Sequence, residues 1–192
     1  MGLTDGDTKE HALRTVVAVL DATGTTYALI GGVAMQLYSR EPRTTLDVDL
    51  AVVRYDAIPR AALTKAGFTH EGRHPHSDNW RAPGPGPRSQ RTAVQFSSED
   101  VGIESAVSRA RSVDVGGFAL RLASPEDLLV LKLAAAEEPR RRPAKRRQDL
   151  LDIITLVEEH PSAGAAIPGL RQRVDRLTSK LLTLGRTRGP ER

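Results

Sequence analysis

Leu13, Val16, Val17 and Leu20 recur at helical spacing, so the first apolar stretch predicts a helix, capped by Asp7 or Thr8 and ending at Ala22 before Gly24. Residues 27–30 form a short apolar run that predicts a buried strand. Gly31 and Gly32 predict a tight turn after it, with a second helix opening over 33–38. At 47–53 β-branched and apolar residues dominate while acids alternate at the start, which predicts another strand. A short helix over 58–66, extended chain from Phe68, a strand over 91–96, a helix over 102–110, and a hairpin of 111–115 with 118–122 around Gly116-Gly117 complete this part of the chain. Between 72 and 89, Pro83, Pro85 and Pro87, together with two histidines and the only tryptophan, predict a long surface loop.

Helical patterning then takes over. Ser124-Pro125-Glu126-Asp127 reads as a helix start, with a Ser cap, Pro at the first position and an acid three residues after the cap. That helix is expected to run to residue 137. A basic linker over 138–145 leads to an amphipathic helix over 146–159 with Leu150, Ile153, Ile154 and Val157 inward, and a last helix spans 169–184. No internal repeat is visible. The boundaries expected are a core over 1–122, a helical C-terminal portion over 123–185 and a polar tail over 186–192.

Composition narrows the chemistry. At 192 residues the chain suits one domain with a short appendage, and with aromatics at 4% its core must be built from Leu, Val, Ala and Ile. The absence of cysteine removes disulfides, zinc–thiolate sites and cysteine nucleophiles together. No apolar run approaches the roughly 20 residues that cross a bilayer, and the first ten residues are polar and acidic, so a cytoplasmic protein without a membrane partner is expected. The net charge is +4, with the excess at 140–147 and after Arg171, which points toward a polyanionic partner or serves solubility alone.

The candidate chemistry begins at the glycines. A strand running through Gly31-Gly32 into a helix permits close backbone approach, and free amides at a helix start attract anions such as a triphosphate. A plain strand-to-helix turn has the same appearance. Further along the chain stands Arg43-Thr44-Thr45-Leu46-Asp47-Val48-Asp49-Leu50. Strand side chains alternate, so Asp47 and Asp49 share one face while Val48 and Leu50 enter the core. Two carboxylates held side by side repel one another and attract a cation, and their hard oxygens suit Mg²⁺, with Mn²⁺ an alternative.

A Gly-Gly turn, a helix, and then Arg43-x-Thr45-x-Asp47-x-Asp49 on the next strand resembles the minimal nucleotidyltransferases of the polymerase-beta superfamily, particularly the AbiEii-like toxin group. The stretches from Ser124 to Lys132 and from Arg147 through Asp149 and Asp152 to Ile153 are similar to the helical portion of the same proteins, so the likeness runs over 27–157. It implies an α/β (α+β) nucleotidyltransferase core with a small mixed sheet, followed by a helical C-terminal portion. It also implies transfer of a nucleoside monophosphate from a metal-bound NTP to a hydroxyl, with tRNA or other RNA as acceptor and an antitoxin protein as partner. By matching position, Gly31, Gly32, Arg43 and Lys132 fall to nucleotide binding, Asp47 and Asp49 to metal, and Asp47, Asp49, Lys132 and Asp149 to catalysis.

Several of these residues keep a second reading. Arg43 either meets phosphate or caps the preceding turn; Lys132 either meets phosphate or is a solvated helix residue; Asp149 and Asp152 share a helix face and could simply pair with nearby arginines. Many relatives have Ser where this chain has Gly32, so a phosphate-binding hydroxyl is missing from that position. The third carboxylate of active relatives comes from a later strand, where Ala93 and Gln95 are the matches and neither is acidic; Glu99, Asp100 and Asp114 lie near in sequence without a pattern that assigns them. Alternatives are therefore a nucleotide- or RNA-binding protein that has lost turnover, and an aminoglycoside-type small-molecule nucleotidyltransferase. His70, His74 and His76 with Asp78 suggest a zinc site, against the favoured reading of a flexible His- and Pro-rich loop. The basic run from Arg140 to Arg147 is either an RNA backbone contact or a solvated linker.

Overall fold

The computed structural model describes residues 6–41 and 43–183. The tail expected at 186–192 lies outside the described residues, as do the side chains of both expected caps, Asp7 and Thr8. The chain divides into two compact units, Met1–Ser124 and Pro125–Arg192.

The first unit begins with α1 (Gly6–Ala22), whose stripe of Leu13, Val16, Val17 and Leu20 is buried as its spacing requires. Next come β1 (Tyr27–Ile30), α2 (Gly31–Tyr38) and β2 (Asp47–Val52), then α3 (Arg60–Lys65), β3 (Thr69–His74), β4 (Ser77–Arg81), β5 (Ala93–Ser97), α4 (Ile103–Arg109), β6 (Arg111–Asp114) and β7 (Ala119–Leu122). The strands form one seven-stranded mixed sheet in the order β3-β4-β5-β2-β1-β7-β6. β2 runs parallel to β5 and β1 parallel to β7, and the other neighbours are antiparallel. β2 therefore lies at the centre of the sheet, with α1, α2 and α4 packed against it. The mixed α/β class that the resemblance implies is the one observed. α2 starts at Gly31 itself rather than after the two glycines.

Of the region expected as a long loop, 72–81 instead belong to the hairpin of β3 and β4, whereas 82–87, with Pro83, Pro85 and Pro87, carry no helix or strand, as expected. Burial alternates along β4, with Asp78 and Trp80 inward and Ser77, Asn79 and Arg81 half exposed. One inward position carries an acid, so the period-two signal is invisible to a reading by hydrophobicity. Asp78 is fully buried but satisfied: Arg60 Nη2 reaches Oδ2 at 2.5 Å, Trp80 Nε1 donates to Oδ1 at 2.7 Å, and His70 Nε2 lies 3.2 Å from Oδ1. The His70 ring tilts at 48° against Trp80 with centroids 4.8 Å apart. His76 pairs with Asp100, and no group of three or more metal-ligating side chains comes together among the described residues, so the zinc idea has no support.

The second unit comprises α5 (Pro125–Glu137), α6 (Pro143–Glu159), α7 (Pro161–Ala165) and α8 (Leu170–Thr183). α6 opens at Pro143 and so absorbs the end of the expected linker, and Leu156 is buried where Ile154 had been expected to be. Among the described residues no helix is long and apolar enough to cross a membrane.

Replacing Asp78 by Ala leaves the buried Trp80 N–H without its acceptor, and the expected loss is about 1–3 kcal/mol. Urea denaturation of Asp78→Ala checks this, and an unchanged midpoint would show that the network carries no stability.

Candidate active site

Gly31 sits at the junction of β1 and α2 with φ at +66°, a left-handed conformation that side chains resist. A Cβ at this position would lie 2.1 Å from Asp49 Oδ2, so space excludes a side chain as firmly as the backbone does. At Gly32 a Cβ would lie 2.5 Å from Thr45 Oγ1. The two glycines thus let the start of α2 lie directly against the chain that carries the acids. The Gly32 amide reaches Asp49 Oδ2 at 3.4 Å, and Ile30 supplies no side-chain cap to α2. The positive end of the helix faces a carboxylate, which complements its charge.

Asp47 and Asp49 are half-buried on one face of β2, while Val48 and Leu50 are fully buried on the other. On β5, Ala93 registers with Asp47 and Gln95 with Asp49, so these two side chains share the face of the acids. Gln95 Nε2 donates to Asp47 Oδ2 at 3.4 Å. A methyl and an amide therefore occupy the positions where a third acid was sought. The other acids considered are engaged elsewhere. Glu99 faces Arg73 at 3.8 Å, Asp100 pairs with His76 at 3.2 Å, and Asp114 accepts from the Gly117 amide at 3.2 Å on the outermost strand.

Two residues escaped the sequence reading. The Thr45 hydroxyl fills the space a side chain at position 32 would take. Lys9 is buried on α1, and its Nζ donates to the Thr45 carbonyl at 3.0 Å, fixing the segment that leads into β2. Nothing in the pattern of α1 marks Lys9, since a lysine near a helix start reads as solvated. Arg43 lies on the same segment, its carbonyl held by Gln36 Nε2 at 2.8 Å and its Nη1 donating to the Thr44 carbonyl at 3.3 Å.

The donor set at β2 fits a hard divalent cation. Two carboxylate oxygen donors converge on one face without thiol or imidazole, and no larger protein cage forms among the described residues. Remaining ligands must come from phosphate and water, the usual arrangement for Mg²⁺.

In the helical unit Lys132 is not solvated. Its side chain is 12% exposed, and Nζ lies 3.1 Å from Asp149 Oδ1 and 2.7 Å from Asp152 Oδ2. Arg141 Nε donates to Asp149 Oδ2 at 2.7 Å, and Gln148 Nε2 to Asp152 Oδ1 at 3.0 Å. Two cations thus balance two buried carboxylates, and Arg141 leaves the supposed free linker for this network.

The nucleotidyl transferase AbiEii toxin family, of type IV toxin–antitoxin systems, has a model that matches residues 12–182. The chain belongs to that family. AbiEii membership makes it a nucleotidyltransferase and so an enzyme. No curated protein matches the sequence. Solved structures do. An antigenic nucleotidyltransferase-like protein from Paracoccidioides brasiliensis is similar at 24% identity and a TM-score of 0.55, over 92% of this chain and 91% of that one. JHP933 from Helicobacter pylori is similar at 19% identity and a TM-score of 0.57, over 91% and 77%. ANT(2")-Ia in complex with adenylyl-2"-tobramycin is similar at 16% identity and a TM-score of 0.55, over 92% and 98%. At these identities the likeness is one of fold.

Removing the cation from the buried network by Lys132→Met should cost about 3 kcal/mol, the low end for a broken buried pair because Arg141 still faces Asp149. Urea denaturation measures it. A variant as stable as the wild type would mean that the lysine is dispensable to the pairing.

Proposed function

We propose that this AbiEii-family enzyme transfers a nucleoside monophosphate from an NTP to a hydroxyl of an RNA acceptor, in a toxin–antitoxin setting with an antitoxin protein as partner. The observation that carries the reading is the pinning of Asp49 against the Gly31-Gly32 turn, because it brings a paired-acid site and a helix N-terminus to one place. These are the two things a metal-bound triphosphate requires. The family description supports the toxin–antitoxin setting. NTP and RNA as substrates put the reaction in the cytoplasm.

In this reading Asp47 and Asp49 hold Mg²⁺, with Mn²⁺ an alternative, and the ion supplies charge neutralisation and orientation at the α-phosphate. The amides at Gly31 and Gly32 receive the phosphate oxygens, the Thr45 hydroxyl stands in for the absent Ser, and Arg43 meets phosphate beside the acids. Lys132 and Asp149 keep the roles that the family resemblance implies, with Asp149 and Asp152 orienting the Lys132 ammonium. The acceptor oxygen bonds to the α-phosphorus as the bond to the bridging oxygen breaks, and pyrophosphate leaves with that electron pair. The hydroxyl proton passes to water, since β5 offers Ala93 and Gln95 in place of a base. General-base help is worth roughly 10² to 10⁴ in rate, so the chain is a slow enzyme rather than an inert one.

Incubation with each labelled NTP and total cellular RNA tests this. Label should enter acid-precipitable RNA slowly with wild type and not at all with Asp47→Ala, and Ala93→Asp should speed transfer by up to about 10²-fold. Calorimetry should find Mg-NTP binding weakened by Asp47→Asn and by Asp49→Asn. Label that enters only a small amino sugar, or no acceptor at all even with Ala93→Asp, would defeat the RNA reading.

A further inference from the structure

A cavity of about 220 Å³ within the helical unit is lined by Glu137 at the end of α5, Arg146 on α6, and Arg173, Arg176, Leu177 and Lys180 on α8. Four lining side chains are cationic and one is acidic. The acid is already committed: Arg173 Nε and Nη2 donate to the two Glu137 oxygens at 2.8 and 2.5 Å. That double contact holds the Glu137 carboxyl below the ordinary carboxylate range.

Arg146 is the decisive member. It is 3% exposed, and its Nε donates to the Ala136 carbonyl at 2.7 Å. Among the described residues this is the sole hydrogen bond of its side chain, and no carboxylate pairs with it. A guanidinium withdrawn from water without a counter-charge is costly, and the cost is relieved by an anion that enters the cavity it lines. The Arg176 side chain makes no hydrogen bond among the described residues, and its charge acts on Glu137, which Arg173 already holds.

The shape of the charge says which anion. Arg173, Arg176 and Lys180 stand at i, i+3 and i+7 and so share one face of α8. At 1.5 Å of rise per residue this stripe is about 10 Å long, a line of charge rather than a single point. The guanidinium fork matches paired phosphate oxygens. The lining carries no aromatic ring, so it offers charge to a backbone and no platform to a base.

From this we infer that the α6–α8 cavity is a sequence-independent seat for the phosphate backbone of RNA, with Arg146 at its floor and Arg176 and Lys180 at its rim. The inference deepens the proposed function and rests on RNA being the acceptor.

The test uses the full chain and a labelled single-stranded RNA 20-mer, titrated between 50 and 200 mM KCl. Arg176→Gln with Lys180→Gln, both exposed, should weaken binding about tenfold and reduce the slope of log K against log salt by about 1.4, or roughly 0.7 for each phosphate no longer neutralised. Arg146→Gln should weaken it further, and thermal melting reports whether that variant folds; the double variant stands independently of it. Mg-NTP binding, measured on the same preparations, should not change. An unaltered slope in the double variant overturns the inference while leaving the catalytic reading intact. Failure of the wild type to bind RNA overturns both the inference and the RNA-acceptor reading. Tighter binding of polyglutamate than of RNA would instead make the cavity a seat for an acidic protein, and competition by millimolar inorganic phosphate alone would make it a free-phosphate site; either result overturns it.

Discussion

The contact between the Gly31-Gly32 turn and Asp49 sets the terms for the first unit. β2 is the central strand, paired on one side with β1 through Ile30 and Asp49 and on the other with β5 through Asp49 and Gln95. A carboxylate in the middle of a sheet needs room and compensating charge. Both come from a helix that begins at the very end of β1, so that its amides and its positive end face the acid. With any side chain at position 31, atoms would overlap at 2.1 Å, and either the strand pairing or the helix start would have to give way. The chain therefore uses glycine where ordinary helix propensity would reject it.

The acids withdrawn from solvent at Asp78, at Asp149 with Asp152, and in part at Asp47 with Asp49 are handled differently, and the contrast isolates the candidate site. Asp78 is surrounded by donors from Arg60, Trp80 and His70, an arrangement that closes on itself. Asp149 and Asp152 are balanced by Lys132 and Arg141, cation for anion. Asp47 and Asp49 differ. They sit two residues apart on one face, where Asp47 accepts from the Gln95 amide and Asp49 from the Gly32 backbone, each at 3.4 Å. Two like charges held on one face are what a cation would be drawn to.

The cations of the helical unit divide in the same manner. Arg141 belongs to Asp149 and Arg173 to Glu137, each in short contact with an acid. Arg146, from the same basic run as Arg141, is buried and among the described residues its guanidinium bonds only to a carbonyl. A run of arginines that looks uniform in sequence thus contains residues with different physical roles, assigned by which neighbour each one reaches.

Sequence by itself determined the parts whose cause is local. The stripe of α1 and the acid alternation of β2 follow from helix and strand periods, and these elements stand where their periods require. The α/β class and the resemblance to the AbiEii group were legible for the same reason, since the order of turn, helix and acid-bearing strand is a property of the chain. The hairpin of β3 and β4 was not legible, because Asp78 occupies a core position and hides its alternation. The surroundings of Lys132 were not legible either, since a lysine on a helix looks the same in water as between two buried carboxylates. Only the tertiary structure decided that Ala93 and Gln95 lie beside Asp47 and Asp49, that Thr45 fills the space beside Gly32, and that Arg146 has no acid to pair with. Each of these depends on which residues meet across long separations in the chain, and periodicity, which reports an element's burial, carries no information about its partners.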